Sequence, residues 1–149
     1  AFMQRLTVTH SARWKQHKKQ VGFGHLSQGR YKSFPIEADD HFLKVVRYGE
    51  RNAWRANLVH KVEHWKWSSW WIGKFGSAPY CRWLSPWPVP APRNWAKHVH
   101  RPETEAELQA LRRSVNRGTP FGSSDGTDKT AKRLGLEFTT RSRGRPKKR

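Results

Sequence analysis

Tyr48 and Asn52 stand four residues apart in the segment from Asp40 to Asn57, which has the apolar rhythm of an amphipathic helix. At about 100° per residue, Phe42, Val45, Val46, Gly49, Ala53 and Ala56 fall on one arc, the expected buried face. Tyr48 lies roughly 110° from the centre of that arc, beside His41, Lys44, Asn52 and Arg55. A tyrosine hydroxyl can attack a phosphodiester and hold one strand end as a covalent phosphotyrosine. An amide oxygen one helical turn away suits a divalent cation that offsets charge on the scissile phosphate. Spacing alone leaves the plainer alternative open, because a tyrosine on the polar side of a helix is ordinarily a surface residue.

His98-Val99-His100 spells a second pattern with metal-ligand potential. Two histidines at i and i+2 share a face only in an extended segment, and no strand-like run surrounds them. They read as a chance surface pair.

The elements that must position these residues follow from periodicity and punctuation. A first helix is expected from about Phe2 to Lys19, with Phe2, Leu6, His10, Trp14 and His17 in helical rhythm. His25-Leu26-Ser27 and Arg30 to Phe34 read as short strands between glycines, and Asp39 or Asp40 can cap the Tyr48 helix. Ser85 to Pro92 is a polyproline-like linker. Thr104-Glu105-Ala106-Glu107 spells a capping box, with Gly118 as a stop, and a short helix from about Asp128 to Leu134 is closed by Gly135.

Composition narrows the partner. The chain of 149 residues holds 30 Lys and Arg against 11 Asp and Glu, a formal charge of +19 with a pI near 11.1. Residues 1–36 carry no acidic side chain, and the C-terminal residues are again strongly basic. Such charge fits a polyanion, nucleic acid first. No apolar run is long enough for a spanning helix, no secretory signal is recognisable, and the single Cys81 fits a reducing cytoplasm. The chain begins in helical rhythm without an initiator Met or a cap, and is expected to be the latter part of a longer protein.

Gly29-Arg30-Tyr31-Lys32-Ser33-Phe34-Pro35-Ile36, His41-Phe42-Leu43, Arg47-Tyr48, Glu50-Arg51-Asn52-Ala53 and Arg55-Ala56-Asn57-Leu58-Val59 together resemble the single-tyrosine HUH transposases, in the branch of REP-associated tyrosine transposases. Trp65-Lys66-Trp67-Ser68-Ser69, Thr104 to Gly122 and Arg133-Leu134-Gly135-Leu136 are similar to the same branch. The resemblance implies an α+β fold, an RRM-like antiparallel sheet with packed helices whose leading strands are missing here, followed by a helical, Pro-rich C-terminal extension. It implies nicking and rejoining of single-stranded DNA beside hairpin ends. Tyr48 takes the position of the nucleophile and Asn52 that of a ligand to Mg²⁺ or Mn²⁺. The family's remaining ligands, a His-hydrophobic-His pair on an upstream strand, are absent from this chain. Gly49, Trp54 and Ser124-Asp125-Gly126 depart from the family pattern, as in a degraded or incomplete gene copy.

The expected organisation is residues 1–76 as the C-terminal part of a catalytic domain, 77–101 as a Pro/Trp-rich linker, 102–136 as a small helical segment and 137–149 as a basic tail. In the tail, Arg143, Arg145, Lys147, Lys148 and Arg149 spell an AT-hook-like sequence able to enter an A·T minor groove, the alternative being diffuse attraction to phosphates. Arg30, Lys32, Lys44 and Arg55 are the other expected DNA contacts. Trp65, Trp67 and Trp70 read first as packing at the end of the domain and second as bases' stacking partners. The expected location is the bacterial cytoplasm at the nucleoid. A non-enzymatic DNA-binding or architectural protein is the competing class, and an RNA-binding role a third.

Overall fold

The computed structural model describes residues 2–27, 29, 31–141 and 144. Arg30, Arg143, Arg145, Lys147, Lys148 and Arg149 lie outside the described residues. The chain divides into two compact units, Ala1–Ser33 and Phe34–Arg149.

In the first unit, α1 (Phe2–His17) ends with Lys15 and His17 in its last turn, where cations offset the negative end of the helix dipole. None of its residues is buried. Lys15 Nζ donates to the carbonyls of Phe23 and Gly24, folding the glycine-rich segment back on the helix. Gly22 and Gly29 sit at φ of 92° and 88°, in the left-handed region that glycine enters without a Cβ clash.

The second unit is helical. It comprises α2 (Asp40–Glu50), α3 (Asn52–Arg55), a 3₁₀ turn (Val62–His64), α4 (Ser69–Phe75), α5 (Ala78–Cys81), α6 (Trp95–His100), α7 (Glu105–Arg117), α8 (Ser124–Leu134) and α9 (Glu137–Thr140). The caps follow the local sequence. Asp39 accepts the His41 N–H at 2.8 Å, and Ser68 accepts the Trp71 N–H at 3.0 Å. Thr104 and Glu107 form the reciprocal capping box of α7. Gly118 and Gly135 close α7 and α8 at φ of 70° and 65°.

The expected RRM-like antiparallel sheet of an α+β fold is not present among the described residues. What remains of strand pairing is one isolated parallel bridge between Ile36 and Phe121, made by Glu37 N–H to the Phe121 carbonyl and Phe121 N–H to the Pro35 carbonyl, both 2.9 Å. The physical reason is partnership. His25 to Ser27 and Tyr31 to Phe34 are too short to stand alone as strands, and no sheet ladder forms along them among the described residues.

The core of the second unit is small: Leu111, Val62 and Val99 are its largest fully buried side chains. Residues expected as a linker join it through aromatic contacts. Trp87 meets Phe42 of α2 edge-on at 5.7 Å and Trp95 at 4.9 Å. None of the helices among the described residues is long and apolar enough to cross a membrane.

Candidate active site on the Tyr48 helix

Arg51 is the C-cap of α2 and the N-cap of α3, and its φ of −79° and ψ of −9° keep the backbone close to helical. The hydrogen bonds Arg51 N to Arg47 O, Arg55 N to Arg51 O and Ala56 N to Asn52 O carry the helical path across the junction at 2.9–3.1 Å. Tyr48, Asn52 and Arg55 therefore fall at i, i+4 and i+7 of one nearly continuous helix and share a face. The Arg55 guanidinium lies 4.0 Å from the centre of the Tyr48 ring, and its Nη2 reaches Asn52 Oδ1 at 3.4 Å. Tyr48 and Arg55 are half-buried and Asn52 is exposed. A guanidinium over the ring is a favourable cation–π arrangement that holds positive charge against the Tyr48 ring. Lys44, one turn before Tyr48 on α2, is half-buried.

The opposite face of this helix differs from the arc read in the sequence. Leu43, Arg47, Glu50, Arg51 and Ala53 are buried, whereas Gly49 and Ala56 are exposed. The cause is ionic packing. Arg47 Nη2 donates to Glu107 at 2.9 Å and Arg51 Nε to Glu103 at 3.1 Å. Arg51 Nη1 also donates to the carbonyls of Val99, at 2.8 Å, and His100, at 3.1 Å. Glu50 accepts the Trp70 N–H at 2.9 Å and the Ser69 hydroxyl. The Glu107 carboxyl is pushed upward by burial, but the Thr104 N–H and the Arg47 guanidinium outweigh that and hold it below the usual carboxylate range. The Arg47–Glu107 and Arg51–Glu103 pairs escaped the sequence reading. The signal was available in the matched four-residue spacings of Arg47/Arg51 and Glu103/Glu107.

His98 and His100 do not share a face. They lie on helix α6, where i and i+2 diverge by about 200°, with the fully buried Val99 between them. His98 stacks on Trp95 at 5.0 Å, and its buried Nε2 has no hydrogen-bond partner. Burial, then the nearby Arg47 and Arg101, lower its pKa against the opposing pull of Glu107 and Asp40. His100 Nε2 instead meets Glu63 Oε1 at 2.6 Å.

Among the described residues, the His, Cys, Asp and Glu side chains that converge as metal ligands do are Glu37, Asp39 and His41, with ligand atoms within 4.8 Å of one another. Each already has a protein partner. Glu37 accepts the Ser123 N–H at 2.7 Å, and Asp39 accepts the His41 N–H and contacts His41 Nδ1 at 2.9 Å. His41 precedes Asn52 by eleven residues, or about 16 Å along a helix, so this group does not complete a site at Asn52. The Asn52 oxygen faces a guanidinium, and among the described residues no group of His, Cys, Asp or Glu side chains converges around it.

Of the other expected DNA contacts, Lys32 is an exposed residue of the first unit. Arg30 and the five cations of the tail fall outside the described residues. No family model, curated protein or solved structure matches the chain.

Proposed function

We propose that this chain acts as a REP-associated, single-tyrosine transposase on single-stranded DNA at hairpin ends in the bacterial cytoplasm. The reading rests on one observation above the rest: Tyr48, Asn52 and Arg55, drawn from the segment that resembles the family, share the solvent side of one helix with Arg55 touching both partners. In the reaction, Tyr48 Oη attacks a backbone phosphorus, the new O–P bond forms, and the P–O3′ bond breaks. The phenolic proton leaves to solvent and the departing 3′ oxygen takes one up. Attack by a 3′-hydroxyl on the resulting 5′-phosphotyrosine reverses the step and rejoins the strand. Arg55, and Lys44 one turn earlier, supply positive charge for the phosphate. Mg²⁺ or Mn²⁺ would add Lewis-acid charge at the same phosphate, but a metal at Asn52 requires ligands beyond those the described residues bring to it.

The competing reading is a non-enzymatic DNA-binding protein, favoured by the engagement of Asn52 with Arg55 and by the excess of cations. A hairpin-tipped oligonucleotide incubated with the full chain and Mg²⁺ or Mn²⁺ separates the two. The transposase reading expects a denaturation-resistant protein–DNA adduct that Tyr48→Phe abolishes. Binding without an adduct supports the architectural protein.

A further inference from the structure

Helices α4 and α5 and the residues that flank them carry exposed aromatic side chains that the core does not use. Trp67, just before the Ser68 cap of α4, is 78% exposed, Phe75 57%, Tyr80 51% and Trp83 70%. Hydrogen bonds and ring contacts organise the two helices. Cys81 Sγ on α5 lies 3.3 Å from both the Ile72 and Gly76 carbonyls, tying α5 to α4. Trp71 and Phe75 have ring centres 5.7 Å apart, and Tyr80 and Trp83 meet edge-on at 5.4 Å. The Lys74 ammonium sits 5.3 Å from the centre of the Phe75 ring.

Exposed apolar area of this kind marks an interaction site. Its electrostatic setting selects the partner. From His64 to Pro102 the chain has no acidic residue and six cations, Lys66, Lys74, Arg82, Arg93, Lys97 and Arg101. A hydrophobic protein partner needs no such one-sided charge, whereas a single nucleic-acid strand offers both faces for rings and phosphates for cations. We propose that the α4–α5 surface is a stacking ledge for unpaired bases, with Trp67 and Trp83 as platforms and Lys74 and Arg82 toward the backbone. Duplex DNA cannot use it, because its bases already stack on one another. The ledge rests on the proposed single-stranded substrate and not on the chemistry at Tyr48.

The test is fluorescence anisotropy of a labelled twenty-nucleotide oligo-dT with the full chain, at about 0.3 M salt, where affinity from phosphate contacts alone falls steeply. Trp83→Ala and Trp67→Ala should each weaken binding by about 5- to 150-fold, and Trp83→Phe should retain most of it. A duplex of equal length should be insensitive to all three. Unchanged oligo-dT affinity in the alanine variants overturns the ledge, as does equal loss in Trp83→Phe. Altered sedimentation with unaltered oligonucleotide affinity also overturns it, assigning the surface to contacts between copies. Failure of the wild-type chain to form an adduct while the tryptophan dependence holds removes the nicking reading and leaves the ledge standing.

Discussion

Arg51 and Glu103, fifty-two positions apart, form a hydrogen-bonded ion pair of 3.1 Å whose side chains are 5% and 3% exposed. The pair joins the junction of α2 and α3 to the residues that lead into α7. With Arg47–Glu107 one turn away on each partner, it fixes the rotation of the Tyr48 helix, so that Tyr48 and Asn52 face outward.

Removing one member of that pair leaves a charge buried without its counterion, a change that costs about 3–5 kcal/mol where it has been isolated. Glu103→Gln is therefore expected to lower unfolding stability by an amount in that range. The double variant Arg51→Met, Glu103→Leu should recover most of it. Urea denaturation followed by circular dichroism measures both, and a Glu103→Gln loss below about 1 kcal/mol would show that the pair is not a fastening.

Much of the secondary structure is written in local signals. Asp39, Ser68 and Thr104 with Glu107 begin helices through their side chains, and Gly118 and Gly135 end them through a left-handed backbone, because a cap depends on residues within one turn. The placement of Tyr48, Asn52 and Arg55 on one face was legible for the same reason. The buried face of that helix was not. Periodicity assigns burial to apolar residues, and here Glu103 and Glu107, brought in from distant sequence, make burial of Arg47 and Arg51 tolerable. Nor did local pattern decide the strands around Tyr31, since a strand exists only where another edge receives its hydrogen bonds.

Arg55→Ala removes the guanidinium from Tyr48 and from Asn52. Its stability effect should stay near 1 kcal/mol or less, the scale of a partly exposed cation–π contact. Its effect on adduct formation should be larger, at least about tenfold, because charge offered to a phosphate in the transition state acts on rate. Single-turnover trapping with the hairpin oligonucleotide, alongside thermal melting, compares the two. Equal modest losses in both would reduce Arg55 to a structural role.

Acid should destabilise the second unit in two stages. His98 has a lowered pKa in the fold, so the unfolded chain takes up its proton first, and stability falls as pH drops below the ordinary imidazole value of about 6.5. That stage should flatten in His98→Phe, which keeps a ring against Trp95. The carboxyls of Glu107, Asp39 and Glu63 are lowered despite the upward push of burial, by hydrogen bonds and nearby cations. Their contribution is fully present above the ordinary carboxylate pKa of about 4 and is lost as pH falls through their lower folded values. Urea midpoints measured from pH 8 to 3 should show both stages in the wild type and mainly the lower one in His98→Phe.

Gly122 and Gly126 flank the Glu37 carboxyl, and a Cβ at either position would collide with it. Neither glycine has a left-handed backbone, so the requirement is one of space, set by the hydrogen bond from the Ser123 N–H to Glu37 at the start of α8. The atoms met at Gly126 are the far end of the flexible Glu37 side chain, which can swing aside, so Gly126→Ala is expected to displace Glu37 from Ser123 at a cost of about 1 kcal/mol or less. Glu37→Ala alone should cost about 1 kcal/mol through the lost cap. In the double variant the collision has no partner, and alanine's helix propensity over glycine, about 1 kcal/mol, should make Gly126→Ala neutral or stabilising in that background. The coupling across the cycle is the diagnostic, and a Gly126→Ala penalty that persists without Glu37 would assign the glycine to another constraint.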